Sequence, residues 1–333
     1  MSFSFVDFFV VELFDLLFRK GFFSMSNKLS IETCMIKGYR LLKEHNIENS
    51  KNECLLILQH ILQKNSAFLY ANPKYSLSNE QYSYFMHCIE ERCHFKPLQY
   101  ILGSQEFMGL DFAVTPDVLI PRQDTEILVE SILNHLPHKE NISVLDIGTG
   151  SGCICISIAH FAKNTKVLAL DVSDAALNVA YSNAEHNNVL DKVFFLKSNL
   201  FEQVKILNLD SKDFFGRNIP NIRSIIYDKF DIIVSNPPYI SSNDMLSLHT
   251  SVSNFEPHLA LFGGVDGLDF YRKITSSAKD FLCDGGLLAF EVGYNQSDDV
   301  YKILKTHSFK NLSILPDLNH INRVVLGFKK NLL

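Results

Sequence analysis

The chain has 333 residues, of which 47% are hydrophobic and 20% are charged, and its formal net charge is −6 at pH 7. This length is typical of two domains, and the hydrophobic share is sufficient for a sizeable core. The negative charge argues against a broad electrostatic surface for nucleic acid, although it leaves room for a local basic patch. Seven cysteines without a C-x-x-C pair predict reduced structural thiols in a cytoplasmic protein, with neither disulfides nor a metal site.

Residues 1–24 are rich in Phe, Val and Leu, but acidic residues interrupt them and a basic pair follows rather than precedes them. A signal peptide carries its positive charge first, and a membrane-spanning helix needs a longer uninterrupted apolar run. We therefore expect this leader to lie upstream of the true start at Met25. The alternative is an amphipathic helix on a surface.

Residues 25–105 are predicted to form a small helical domain. Its first helix is indicated by apolar residues that recur at helical spacing, namely Ile31, Cys34, Met35, Tyr39, Leu41 and Leu42. Capping-box sequences at 50–53 and 78–81 predict two further helices, and the first of these should end at Leu62.

Residues 106–136 are predicted to form a hairpin and a linker helix. The hairpin should run from Glu106 to Val114 with its turn at Gly109. The helix should start at Asp124-Thr125 and stop before Pro137.

Residues 137–333 alternate predicted strands with predicted helices, which implies a mostly parallel sheet with helices on both faces. A strand, a glycine turn and a helix start occupy 144–152, where the order is Asp-x-Gly-x-Gly-x-Gly. A second strand ends in Asp171, about twenty residues further on. An acid at this position commonly binds ribose hydroxyls. The alternative is that Asp171 merely caps the helix that begins near Ser173.

The spacing of these glycines indicates the kind of ligand. G-x-G-x-G differs from the G-x-G-x-x-G of nicotinamide-binding proteins, and no proton-transfer residue accompanies it, so an oxidoreductase is the least favoured function. Together with the strand-end acid, the pattern suits S-adenosylmethionine. The sulfonium and amino acid groups of that molecule need no pyrophosphate cradle.

A buried strand at 230–234 leads into the sequence Asn-Pro-Pro-Tyr. Asn236 is held extended because a proline follows it, and Pro237 and Pro238 leave free carbonyls in a stiff loop. The Asn236 oxygen and the Pro237 carbonyl can accept both hydrogens of an amide or amino nitrogen. Tyr239 can offer a flat face to the same group. This pattern predicts a site that grips a planar NH2 group, and the alternative is an ordinary turn.

Gly148, Asp171, Asn199 and Asn236 each follow a predicted strand. In open α/β sheets, ligands bind beyond the carboxyl ends of the strands. We therefore expect the four residues to meet in one crevice.

Several motifs together resemble one family, the release factor glutamine methyltransferases of the HemK/PrmC type. Besides the glycine and Asn-Pro-Pro-Tyr motifs, they are PLQYILG at 97–103, EF at 106–107, LIPRQDTE at 119–126, FEP at 255–257, AL at 260–261, GG at 263–264, DGL at 266–268 and RVV at 323–325. DNA adenine methyltransferases share Asn-Pro-Pro-Tyr but lack the LIPR and FEP stretches. The resemblance covers about Ile31 to Phe328.

The resemblance implies a Rossmann-like S-adenosylmethionine-dependent methyltransferase domain preceded by a small helical domain that recognises the substrate. It implies N5-methylation of the glutamine in the Gly-Gly-Gln loop of class 1 peptide chain release factors, with no membrane and no direct nucleic-acid substrate. The expected catalytic and substrate-binding residues are Asn236, Pro237, Pro238 and Tyr239, with Phe107 and Arg122 also binding substrate. The expected cofactor-binding residues are Gly148, Thr149, Gly150, Ser151, Gly152, Asp171, Asn199, Leu200 and Asn236.

Two segments depart from the family pattern. After the third predicted strand, the chain reads Ser-Asn-Leu-Phe at 198–201, where the family often has an acid followed by an aromatic residue. Asn199 can still hydrogen-bond the adenine amino group and Leu200 can still cover the ring, although stacking should be weaker. The polar stretch 204–229 is long for a loop before a strand and is predicted to be a surface insertion.

Two residues have rival interpretations. Arg122, acting with Glu126, could position the substrate loop or line the cofactor mouth, or the two could form an ion pair that links domains. Phe107 could pack over the substrate glutamine, or it could be a buried aromatic of the hairpin.

Two other functions remain open from the sequence. An adenine-N6 methyltransferase acting on nucleic acid should carry a basic target-recognition region. A non-catalytic S-adenosylmethionine-binding module would leave Asn236 free to vary.

Overall fold

The computed structural model describes residues 29–219 and 229–330. The predicted leader at 1–24 and part of the predicted insertion, 220–228, lie outside these ranges. The chain divides into two compact units between Cys93 and His94. This division precedes the predicted boundary at residue 105, because residues 98–103 join the hairpin: the Gly103 carbonyl accepts from the Val114 N–H at 3.0 Å.

The first unit is helical. Its helices are α1 Ile31–Glu44, α2 Ser50–Leu62, α3 Ser66–Ala71 and α4 Asn79–Cys93. Helix α1 packs against α2 and α4, and Gly38 permits the close approach. A Cβ at Gly38 would lie 2.8 Å from Phe85 Cζ and 2.9 Å from Cys54 Sγ.

One of the two predicted capping boxes is confirmed. The Gln81 N–H donates to Ser78 Oγ at 3.1 Å, and the Ser78 N–H donates to Gln81 Oε1 at 2.9 Å. The other is wrong, although the helix has the predicted bounds. Ser50 lies inside α2, and its hydroxyl donates to the Ile47 carbonyl instead of capping the helix.

The second unit begins with α5 Leu98–Leu102 and the antiparallel hairpin of β1 Ser104–Phe107 and β2 Leu110–Ala113. Met108 and Gly109 both have positive φ, 53° and 73°, as a two-residue type I′ turn requires. A 3₁₀ turn at Gln123–Thr125 leads into α6 Glu126–Asn134. The predicted hairpin and linker helix are therefore confirmed.

A seven-stranded sheet forms the centre of the second unit, with the order β5-β4-β3-β6-β7-β9-β8. Its strands are β3 Ile142–Ile147, β4 Thr165–Asp171, β5 Val193–Lys197, β6 Phe230–Ser235, β7 Leu282–Glu291, β8 Lys310–Pro316 and β9 Asn322–Phe328. The pairs among β3 to β7 are parallel, whereas β9 pairs antiparallel with both β7 and β8. The order reverses at β3, which lies between β4 and β6.

Helices cover both faces of this sheet. They are α6 together with α7 Cys153–Phe161, α8 Asp174–His186, α11 Asp269–Phe281 and α12 Ser297–Thr306; the short helices α9 Ser242–Met245 and α10 Thr250–Ser253 lie between β6 and α11 and bury no residue. Successive strand residues alternate between two separate hydrophobic clusters: Val144 belongs to the cluster of α7 and α8, and Leu145 to that of α11 and α12. The predicted α/β fold, Rossmann-like and preceded by a helical unit, is confirmed.

The described part of the predicted insertion packs against the sheet. Its Phe214 N–H donates to the Phe195 carbonyl at 2.6 Å, and the Arg217 guanidinium donates to the Val193 carbonyl at 2.9 Å. These bonds cover β5, which is one of the two edge strands of the sheet. The prediction of a surface loop missed this because sequence alone does not show which polar residues meet a strand edge.

All seven cysteines are free thiols, and six of them are buried, as the composition predicts. Among the helices within 29–219 and 229–330, none combines the length and apolar character that crossing a membrane requires.

The capping box of α4 should contribute measurably to stability. Ser78→Ala removes the acceptor of the Gln81 N–H and should lower the free energy of unfolding by about 1 kcal/mol. Ser83→Ala, on the exposed side of the same helix, should change it by less than about 0.5 kcal/mol. Urea denaturation followed by circular dichroism measures both, and equal effects would contradict a capping role.

Candidate active site

A cleft of about 360 Å³ lies at the carboxyl ends of the parallel strands, where the strand order reverses. Its lining includes Gly148, Asp171, Asn199 and Asn236, the four residues that sequence patterns assigned to one crevice. The reversal separates the loops that follow β3 and β6, and this opening is where open α/β sheets bind ligands.

The three glycines of the turn after β3 have different roles. All have positive φ, with values of 76° at Gly148, 55° at Gly150 and 83° at Gly152. A Cβ at Gly148 or Gly150 would meet nothing within 4 Å, so the backbone there is open to a ligand. A Cβ at Gly152 would lie 2.7 Å from Ile156 Cδ1 and 3.2 Å from Ala180 Cβ. Gly152 does not line the cleft, and it serves the packing of α7 against α8.

Thr149 and Ser151, between these glycines, also line the cleft. The Thr149 hydroxyl donates to Asp146 Oδ2 at 2.7 Å. Asp146 is fully buried and its Oδ1 has no hydrogen-bond partner. Burial raises the pKa of Asp146 to about 7, against the lowering effect of the Thr149 hydrogen bond.

Asp171 connects the end of β4 to the glycine turn. Its Oδ2 accepts from the Gly150 N–H at 2.9 Å, and its Oδ1 accepts from the Ser173 N–H at 3.0 Å. The N-cap of α8 is Ser173, whose hydroxyl accepts from the Ala176 N–H. Burial raises the pKa of Asp171, and the two backbone hydrogen bonds oppose that rise. Asp171 is therefore not the N-cap of α8, and its carboxylate lines the cleft.

Asn199 and Leu200 line the cleft after β5. The Asn199 amide nitrogen donates to Glu202 Oε1 at 3.0 Å, which leaves its amide oxygen outside this bond. Leu200 has a φ of 51°, an unusual value for a residue with a side chain. The Ser198 hydroxyl holds this turn by donating to the Leu200 carbonyl at 2.7 Å.

Three residues of the Asn-Pro-Pro-Tyr loop line the cleft, namely Asn236, Pro237 and Pro238. Tyr239 does not: its ring packs beside the hydrophobic cluster that α11 and α12 cover. The sequence interpretation gave its ring a contact with substrate, whereas apolar neighbours draw it into the core. Its carbonyl accepts from Gln296 Nε2 at 2.9 Å.

Two glycines allow the neighbouring backbone to pack closely against this loop. A Cβ at Gly263 would lie 2.7 Å from the Pro238 carbonyl oxygen, and a Cβ at Gly267 would collide with the Tyr239 carbonyl. These glycines and Gln296 were not among the predicted site residues. The GG and DGL motifs were the signal that could have identified the glycines.

Behind Asn236 lies a buried polar group. Asn236 Nδ2 donates to Thr125 Oγ1 at 3.4 Å, and the Glu291 carboxyl, 3% exposed, lies next to both side chains. Burial raises the pKa of Glu291 to about 7, although hydrogen bonding from Thr125 and from Asn236 lowers it. The LIPRQDTE motif was the signal that could have identified Thr125. Sequence patterns gave no indication of Glu291, because its role depends on contacts between distant segments.

Arg122 lines the cleft and pairs with Glu256, with 2.5 Å between Nη2 and Oε1. The predicted partner was Glu126, which instead accepts from the Met108 N–H at 2.7 Å. The pair thus joins the LIPR and FEP motifs within the second unit. Desolvation raises the pKa of Glu256, and the Arg122 charge opposes this.

Phe107 lies away from the cleft. It is 1% exposed and meets Phe112 edge to face, with ring centroids 6.0 Å apart. The structure therefore favours the buried hairpin aromatic over a contact with substrate.

Comparisons with known proteins agree with this architecture. A family model described as the PrmC N-terminal domain matches residues 34–103, and one described as ribosomal protein L11 methyltransferase (PrmA) matches residues 124–236. A release factor glutamine methyltransferase of Clostridium acetobutylicum is 38% identical over 304 residues, covering 91% of this chain and 100% of that protein. The chain belongs to the release factor glutamine methyltransferase family.

Family membership confirms the resemblance found in the sequence and makes this protein a methyltransferase. A second family member, from Fusobacterium nucleatum, is 39% identical over 298 residues, with 88% of this chain and 77% of that protein covered. Among solved structures, a methyltransferase from Pyrococcus furiosus is similar with a TM-score of 0.45 and 20% identity, over 67% of this chain and 91% of that chain.

The buried Asp146 should make stability depend on pH. Because its folded pKa is raised to about 7, it destabilises the native state progressively as pH rises from its unfolded pKa of about 3.9 through 7. Asp146→Asn removes that cost and keeps an acceptor for Thr149. It should raise the melting temperature more at pH 8 than at pH 5, measured by calorimetry. Equal shifts at both pH values would show that Asp146 does not titrate in this range.

Proposed function

We propose that this enzyme transfers a methyl group from S-adenosylmethionine to the side-chain amide nitrogen (N5) of the glutamine in the Gly-Gly-Gln loop of class 1 release factors. The observation that supports this most directly is one cleft lined both by the glycine turn with Asp171 and by Asn236-Pro237-Pro238. The names of the relatives supply the class of substrate, and we propose that the enzyme acts with it in the cytoplasm.

The cofactor side of the cleft suits S-adenosylmethionine. Gly148 and Gly150 leave open space where other residues would have side chains. The Asp171 carboxylate lines the cleft and can accept ribose hydroxyls, and the Asn199 oxygen can accept from the adenine amino group. When bound, this cofactor supplies the electrophilic methyl group.

The substrate side suits a primary amide. An amide nitrogen is a poor nucleophile because its lone pair is delocalised into the carbonyl. The Asn236 oxygen and the Pro237 carbonyl would accept its two hydrogens, which favours a more nucleophilic nitrogen and fixes its direction. Holding reacting atoms about 3–3.5 Å apart in line can supply several kcal/mol. No general base is required before attack, since the proton can leave afterwards.

A direct assay separates this proposal from methylation of nucleic acid. The purified protein is incubated with methyl-labelled S-adenosylmethionine and a mixture of release factor, tRNA and DNA. We expect label only in the release factor, with mass spectrometry locating it on the glutamine. A release factor whose Gly-Gly-Gln glutamine is replaced should accept none. Label on adenine, or on another residue, would contradict the proposal.

Asn236 should act mainly on turnover. Asn236→Ala removes one acceptor of the amide hydrogens and should lower kcat by on the order of 10²-fold or more while nearly preserving cofactor binding. Asn236→Asp keeps the shape but adds a charge, so we expect partial activity at best. Single-turnover kinetics together with calorimetric titration measure both effects. Wild-type turnover in Asn236→Ala would remove this residue from the mechanism.

Asp171 should act on cofactor affinity. Asp171→Ala should weaken S-adenosylmethionine binding by about 1.5–3 kcal/mol, the range for hydrogen bonds to a charged group. Asp174 is a suitable control because its side chain is half exposed and forms an exposed ion pair with Lys197. Asp174→Ala should leave the dissociation constant within about twofold, since exposed ion pairs contribute little. Unchanged affinity in Asp171→Ala, by calorimetric titration, would exclude Asp171 from the binding site.

A further inference from the structure

The carboxyl ends of β6 and β7 place Asn236 beside Glu291. Ser235 pairs with Phe290 in the parallel register of these strands. The residues that follow this pair are Asn236, directly after the end of β6, and Glu291, the last residue of β7. Successive residues alternate between the faces of a sheet, so residues one step beyond a registered pair point the same way. The Asn236 side chain lines the cleft, and the Glu291 carboxyl lies next to it on the side away from the cleft.

An asparagine amide is almost symmetric in shape, but only its oxygen can accept the hydrogens of a substrate amide. If the side chain turned over, its NH2 group would face the substrate donor and repel it. An ionised carboxylate only accepts hydrogen bonds. A carboxylate behind Asn236 therefore requires the NH2 group to face inward and leaves the oxygen on the opposite side.

The contacts of Asn236 place its NH2 group on the inner side, as a carboxylate behind it requires. Asn236 Nδ2 donates to Thr125 Oγ1 at 3.4 Å, and both side chains interact with the Glu291 carboxyl. Glu291 Oε2 has no hydrogen-bond partner, although it is buried. A buried carboxylate oxygen without a partner is costly, which indicates a role other than stability.

We propose that Glu291, with Thr125, is a positioning residue that orients the Asn236 amide so that its oxygen faces the substrate nitrogen. This inference rests on the proposed function, in which Asn236 accepts from the substrate amide. Neither Glu291 nor Thr125 needs to touch the substrate for this role.

The protonation of Glu291 should control this orientation. A protonated carboxyl can donate to the Asn236 oxygen and would favour the wrong orientation. The pKa of Glu291 is raised to about 7 by burial, so the productive orientation is favoured as pH rises through 7.

The titratable and charged groups that interact with Glu291 are Asp124, Arg323, Cys153, Tyr239 and Tyr271. Burial raises the pKa of Cys153 and of both tyrosines well above 7. Asp124 and the Asp317 carboxylate share Arg323 in ion pairs of 2.8 and 3.1 Å.

Nuclear magnetic resonance tests the link between the two residues without any substrate. The side-chain amide signals of Asn236, assigned by their loss in Asn236→Asp, should titrate in the wild-type protein with a midpoint near pH 7. They should not titrate in this range in Glu291→Gln. The control is Asp231→Asn, which removes a buried carboxylate near the other end of β6, where Ser143 and Lys139 hold it. That variant should keep the titration of the Asn236 signals.

Kinetics with release factor and labelled cofactor test the consequence. At pH 8, Glu291→Gln should lower kcat by about tenfold with KM for the release factor within about threefold, the pattern of an interaction used in the transition state. Wild-type kcat should rise with pH through 7, whereas kcat of Glu291→Gln should be flat. Thr125→Val should also lower kcat and leave cofactor affinity unchanged.

The outcomes separate the two proposals. An Asn236 signal that does not titrate in the wild-type protein, or that still titrates in Glu291→Gln, overturns the role of Glu291 even where methylation is normal. Equal losses of kcat, cofactor affinity and melting temperature in Glu291→Gln would also overturn it, since they indicate a structural role. A wild-type protein that methylates no release factor overturns the proposed function, while the Asn236 titration still decides whether Glu291 controls the amide.

Discussion

The parallel pairing of β3 with both β4 and β6 is the constraint on which the cleft depends. Because β3 has a parallel neighbour on each side, the loop after β3 leads to α7 on one face of the sheet, and the loop after β6 leads to α11 on the other face. That separation creates the opening between the glycine turn and Asn-Pro-Pro-Tyr. Strands β3, β4 and β6 are buried on both faces, and this fixes their register, because a shift by one residue would move the side chains of one hydrophobic cluster to the face of the other. The positions of the functional side chains therefore depend on the core.

The loop that carries Asn236 has an unusual structural requirement. Two prolines make it stiff but remove two N–H groups that could have anchored it. The anchoring is supplied from outside the loop: Gln296 donates to the Tyr239 carbonyl, and Gly263 and Gly267 let the neighbouring chain approach closely. Motifs that lie far apart in the sequence thus support one short segment. Rigid surroundings of this kind are what a site that works by positioning requires.

The sequence was sufficient to predict the elements whose cause is local. Several elements depend only on residues that are close in the sequence. They are the periodic helices, the Ser78 capping box, the turn at Gly109, and the strands before the glycine turn and the Asn-Pro-Pro-Tyr loop. The convergence of four strand-end residues also follows from the general geometry of parallel sheets. These features were enough to predict the fold class and the edge of the sheet at which the cleft lies.

What sequence did not predict depends on long-range contacts. Arg122 pairs with Glu256 rather than Glu126, because the FEP segment returns to the cleft after more than a hundred residues. Sequence also could not choose between the two interpretations of Phe107, which packs in the core against Phe112 of the second strand of its own hairpin. Aromatic side chains carry enough apolar area that burial usually determines their orientation, and a motif alone does not show which side of the chain is covered.

Glu256, buried beside the cleft, is neutralised by Arg122. Two further buried carboxyl groups, Asp146 and Glu291, also lie around the cleft, and stability does not account for them. Asp146 and Glu291 each have one oxygen without a hydrogen-bond partner, and burial raises the pKa of each to about 7. Replacing such groups with neutral residues of similar shape is often neutral or stabilising. Asp146, the last but one residue of β3, lies under the glycine turn, and Glu291, the last residue of β7, lies behind Asn236. Buried polar atoms without hydrogen-bond partners lower stability, and when several of them lie at one site they usually serve the function of that site. We therefore interpret the two acids as elements that hold the cleft's backbone and amide groups in their working orientation, at a cost to the stability of the fold.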